Sequence, residues 1–245
     1  MTRCCICMKT LLSLPCGALA LCRRLFYGCV LCLCGPVASA AQYTFMVTSA
    51  DGAPVSHAVI SAGPKVQPHA AATASQAAVM DQVNIAFAPY VLPISAGEWV
   101  SFPNRDNIRH HVYSFSPAKP FDLKLYSGEP EAPIEFEQPG VIVLGCNIHD
   151  NMVGYIYVSE RRYQDMSDVN GQATLDSAEV LTTISIWHPG LSINSQDELS
   201  LDLAQLPQVD GVFQLQLTIP RPVGNPQEIK SNGRDRFKRF MTPKP

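Results

Sequence analysis

Between Val83 and Val158 the apolar residues come in short runs: Ile94 to Val100, Val112 to Phe115, Ile134 to Phe136, Val141 to Leu144 and Val153 to Val158, with Pro or Gly between them. Runs this short do not fill a helix, whereas strands of a two-layer sheet need no more. Their even spacing predicts an all-β sandwich. Pro 20 and Gly 15 in 245 residues fit the frequent turns such a fold requires and argue against an all-helical chain.

The flanks read as β as well. Tyr43 to Thr48 and Val55 to Ile60 bracket the turn Ala50-Asp-Gly-Ala-Pro54, which predicts a β-hairpin. Residues 61–79 are rich in Ala, Ser, Pro and Gly and read as a linker. After a second turn signal at Asp168-Val-Asn-Gly171, strands are expected at Ala173 to Leu175, Thr182 to Trp187, Leu199 to Leu203 and Val212 to Ile219. The expected division is a signal peptide at 1–40, a hairpin and linker at 41–79, a central unit at 80–160, a β-sandwich segment at 161–224 and a flexible basic tail at 225–245.

The first forty residues carry Arg3, Lys9, Arg23 and Arg24 and no acidic residue. Leu25 to Cys34 is an apolar stretch about half as long as the roughly 20 residues a membrane span needs. It is followed by Gly35-Pro36 and the small-residue pattern Ala38-Ser39-Ala40, so cleavage after Ala40 and export to the periplasm are expected, with no membrane insertion afterwards. Translation starting at Met8 would leave that destination unchanged. Loss of four basic residues takes the formal net charge from −3 to −7, which argues against nucleic acid as a partner.

Eight of the nine cysteines lie in the segment expected to be removed, and the mature chain keeps Cys146. A lone thiol in an oxidising compartment has no internal disulfide partner and needs another reason to persist. Its neighbours suggest one: Cys146-Asn-Ile-His149-Asp-Asn-Met152 puts a thiolate, an imidazole and a thioether three residues apart, just after the strand Val141 to Leu144. Two His, one Cys and a weak axial Met form a ligand set that suits copper in both of its common oxidation states. Arg109-His110-His111-Val112-Tyr113 offers the missing His on an upstream strand. Strand alternation points His110 and His111 to opposite faces, so only one can face the metal. We assign His110.

On these residues the chain resembles the cupredoxin superfamily of plastocyanin and amicyanin, over roughly residues 80 to 158. It looks closest to cupredoxin-like proteins of the methylamine utilisation type, through Asn107-Ile-Arg-His-His-Val-Tyr-Ser-Phe115 and Gly145-Cys-Asn-Ile-His-Asp-Asn-Met152. The resemblance implies a Greek-key β-sandwich holding one type 1 (blue) copper on His110, Cys146, His149 and Met152. It also implies one-electron transfer between periplasmic redox partners, a cytochrome or a dehydrogenase, with His149 as the electron port and no catalysis by the chain itself. The family usually has Asn after the first His ligand, where this chain has His111; His111 is thus expected to tie the two ligand loops together or to serve as an exposed port. Asn147 is a candidate for tuning the thiolate. The flanking segments resemble transthyretin-like or carboxypeptidase-regulatory-like sandwich modules, either one sandwich interrupted by the central unit or two separate small modules.

Taken singly, each ligand has a plainer explanation: Cys146 as a small buried hydrophobe, His149 as a loop residue, Met152 as core. Their conjunction with His110 favours the metal. His57, His69 and His188 have no ligand-like neighbours and read as structural, with Trp187-His188-Pro189 ending a strand. A cysteine hydrolase would leave Met152 without a role, and six histidines are too few for a multicopper oxidase. Copper delivery without a redox task is the alternative.

Overall fold

The computed structural model describes residues 40–67, 74–130, 132–192 and 198–219. The expected signal peptide up to residue 39, His69 and the basic tail lie outside them. The architecture is all-β, as the short apolar runs predict. Among the described residues no helix is long and apolar enough to cross a membrane.

The central unit has a five-stranded sheet in the order Val91–Ser95, Val153–Ser159, Gly140–Gly145, His110–Ser114, Phe121–Tyr126. A three-stranded sheet of Ile134–Phe136, Glu98–Ser101 and Ala78–Val79 accompanies it. Met80, Phe87, Phe102, Phe136, Ile142, Leu144 and Ile156 are fully buried in one cluster that also contains Cys146 and Met152. Burying each large side chain of this kind contributes about 1.5–3 kcal/mol, so the ligand loop is anchored to the most stabilising part of the unit. The run expected at Ile94 to Val100 is broken by Ala96-Gly97, with Gly97 at φ +90°, and splits between two sheets.

The flanks form a second sandwich from both ends of the chain. Ala41–Ser49 pairs antiparallel with Gln172–Ser177 and parallel with Val212–Leu217. Val59–Lys65 pairs with Arg161–Met166 and Thr183–Trp187 in the opposite sheet. Phe45 and Val47 from one sheet meet Ile60, Ile184 and Ile186 from the other in a single core. Of the two arrangements open from sequence, the pairing is that of one sandwich with the central unit inserted.

The expected N-terminal hairpin is therefore corrected. Its turn is held by Ser49 N–H to Ala53 O at 2.8 Å and Val55 N–H to Val47 O at 3.0 Å, and the two sides share only the bridge Thr48–Pro54. Beyond it the chain crosses between sheets, and Val59 and Ile60 pair there with Trp187 and Ile186 and are fully buried. The segment read as linker is strand as far as Lys65 and again at Ala78–Val79. Between the two sandwiches Trp187 is fully buried, stacks on Tyr157 at 5.5 Å and donates its Nε1–H to Ser192 O at 3.0 Å.

Candidate metal centre

His110 opens one strand of the five-stranded sheet and Cys146 follows the next, with Gly145 paired to Tyr113. The register from Gly140–Val158 to Gly145–Val153 clamps both ends of the segment 146–152. That segment must turn back within seven residues, and it does so through His149 N–H to Cys146 O at 3.4 Å and Met152 N–H to His149 O at 2.8 Å. Local geometry thus brings Cys146, His149 and Met152 to one end of the sandwich.

Cys146 Sγ lies 3.9 Å from His110 Nδ1 and 3.6 Å from His149 Nδ1. The three ligand atoms lie within 4.8 Å of one another, and theirs is the only such group of His, Cys or acidic side chains among the described residues. One thiol proton cannot serve two imidazoles. A metal about 2.3 Å from sulfur and about 2.0 Å from nitrogen would separate those atoms by about 3.5 to 3.7 Å at tetrahedral to trigonal angles. The donor set and its spacing fit a thiolate-imidazole metal such as copper.

His110 is completely buried, Cys146 nearly so, and His149 is half-buried beside the exposed Ile148. Met152 is among the largest fully buried side chains and packs in the cluster that contains Cys146. Strand alternation separates the paired histidines as expected: His110 and Val112 face the core and His111 and Tyr113 face outward. His111 does not tie the ligand loops together. Its Nε2 lies 2.6 Å from Asp122 Oδ1 on the neighbouring strand. The Asn104 side chain braces the His110 side of the site: it donates to Ile108 O and Tyr126 O, both at 2.9 Å, and accepts Asp106 N–H at 3.0 Å. Asn147 is exposed.

Sequence reasoning missed Asp106. Its Oδ2 lies 2.8 Å from His110 Nε2, leaving Nδ1 as the nitrogen that faces Cys146. Burial works against the Asp106 charge, but hydrogen bonds from the Ile85 amide, His110 and the Asn84 amide outweigh it and hold the carboxyl below its usual range. The available signal was Asp four residues before His, which on a loop carries no periodicity to single it out. Of the histidines read as structural, His188 is buried, with Nε2 3.1 Å from Ser56 O and Nδ1 accepting Gly190 N–H at 3.0 Å. His57 packs edge-on to Tyr90 at 5.5 Å.

No family model matches the chain, and no curated protein matches it. Among solved structures, a Cu-containing nitrite reductase from Thermus scotoductus SA-01 is similar at 29% identity over 40% of this chain and 25% of that one, TM-score 0.33. A purple cupredoxin from Nitrosopumilus maritimus is similar at 24% identity over 33% of this chain and 96% of that one, TM-score 0.29. A reduced amicyanin variant is similar at 20% identity over 41% of this chain and 98% of that one, TM-score 0.33. The chain thus spans a quarter of the nitrite reductase and nearly all of the two small proteins.

Proposed function

We propose that the protein is an exported carrier of single electrons with one type 1 copper held by His110, Cys146, His149 and Met152. The observation that carries this reading is the approach of one buried sulfur to two imidazole nitrogens, at 3.9 and 3.6 Å. Copper bound there would supply a one-electron couple. The chain's own residues do the rest. The sheet register fixes Cys146 and His110, the short loop limits how far His149 can move, and the buried Met152 keeps its end of the site dry. A site held this rigidly suits electron transfer, because little rearranges between oxidation states.

His149, half-buried beside exposed Ile148, is the proposed port through which a partner exchanges electrons. We assign a carrier role and not an enzymatic one, because two of the six histidines complete this site and a catalytic copper cluster would need several more. The signal at residues 1–40 supports a periplasmic location, where a cytochrome or a dehydrogenase would be the partner.

The test is visible absorption and electron paramagnetic resonance of the mature protein loaded with Cu(II), beside Cys146→Ser. An intense orange-red absorption band with narrow copper hyperfine splitting, both lost in the variant, is the expected result. A colourless protein that binds only Cu(I) would replace the electron carrier with a copper-delivery protein.

A further inference from the structure

The His110 ring is fixed at both ends, Nδ1 toward Cys146 and Nε2 toward Asp106. Asp106 is itself held in place. Its Oδ1 accepts Asn84 N–H at 2.6 Å and its Oδ2 accepts Ile85 N–H at 2.8 Å as well as facing His110. Asn84 and Ile85 are the central residues of a tight turn closed by Val83 and Ala86, and both are left-handed, at φ +56° and +62°. A β-branched residue there is an outlier. Strain of this kind persists where the surroundings over-determine it. Here the turn aims two successive amides at one carboxylate, a small anion nest.

We propose that Asp106 is the positioning residue of the metal centre: it accepts the Nε2–H of His110, reserves Nδ1 for the metal, and by its fixed negative charge favours the more highly charged oxidation state held there. Carboxylates behind metal-bound histidines act in this way in other sites, and their loss typically costs about 10–100-fold in metal affinity. The same strand carries an internal comparison. His111 pairs with Asp122 at 2.6 Å, but on the outer face, where Asp122 is 62% exposed. That pair has the same chemistry and no path to Cys146. The oxidation-state part of the inference rests on the copper reading; the tautomer part does not.

The metal-free protein is read first, by nitrogen-15 nuclear magnetic resonance at alkaline pH. Wild type is expected to show His110 with its proton on Nε2, and Asp106→Ala a mixture of the two tautomers. In the copper-loaded protein, Asp106→Asn keeps an acceptor oxygen but removes the charge. It is expected to lower the ratio of Cu(II) to Cu(I) affinity at least tenfold, a rise of about 59 mV for one electron, while Asp122→Asn leaves the potential unchanged. A wild-type His110 protonated on Nδ1, or an Asp106→Asn potential equal to wild type, overturns the proposal. Should the protein take up no copper, the copper reading fails and the wild-type tautomer still decides the role of Asp106. That measurement needs no variant, so a failure of Asp106→Ala to fold does not obscure it.

Discussion

Gly154 stands so close to Phe87 that a Cβ on it would lie 2.7 Å from the Phe87 Cβ and 3.0 Å from its Cγ. Phe87 is fully buried, and its Cβ cannot move without its backbone. Gly145 is equally close to Tyr113, but there the atoms met at 2.7 and 2.8 Å are the Cζ and Oη of a half-exposed ring that can swing outward. Gly154→Ala is therefore expected to cost about 3 kcal/mol and Gly145→Ala about 1 kcal/mol, within the range for overpacked sites. Denaturant midpoints of the two variants check the order. Equal costs would mean that the Tyr113 ring is as fixed as the Phe87 stem.

The two histidines of the centre should differ in how replaceable they are. His149 is half-buried on a loop and His110 is wholly buried behind Asp106. In His149→Gly, added imidazole is expected to restore the visible band of the copper-loaded protein. In His110→Gly it is expected to restore little, since no part of the His110 side chain reaches solvent. A titration of both variants with imidazole reads the difference directly.

His188 makes stability depend on acid. Burial, the largest cause, and nearby His57 push its pKa down to about 4 from 6.5, against the hydrogen bond to Ser56 O. In that window the unfolded chain binds a proton that the folded chain refuses, so stability is full above pH 6.5 and falls as the pH drops toward 4. The loss is on the order of 3 kcal/mol. Melting temperatures across that range should fall in wild type and fall less steeply in His188→Gln.

Ile85 occupies a left-handed position, φ +62°, that a type I′ turn ordinarily gives to glycine. Its side chain is 45% exposed, so little packing is lost on its removal. Ile85→Gly is expected to stabilise the protein by about 1 kcal/mol, the strain relief outweighing the added freedom of the unfolded chain. Thermal unfolding of the metal-free protein measures it.

Two strands that sequence reading missed are weakly buried. Phe121–Tyr126 lies at a sheet edge with polar residues on its open face, and Arg161–Met166 has no fully buried residue. Neither presents the apolar run that marked Val141 to Leu144 or Val153 to Val158. Burial at these edges comes from neighbours far along the chain, which no window of sequence contains.

The amino-acid sequence by itself determined the class of fold and the grouping of Cys146, His149 and Met152, because short apolar runs and a seven-residue loop are local and the covalent chain enforces them. It also separated His110 from His111, since a strand turns alternate side chains to opposite faces. Only the tertiary structure decided that Ala41–Ser49 and Val59–Lys65 part to opposite sheets, that the flanks close into one sandwich, and that Asp106 stands behind His110. Each of these depends on segments distant in sequence or on an irregular loop. What selects them is the burial of Phe45, Ile60 and Trp187 and the pairing of a carboxylate with two amides and an imidazole.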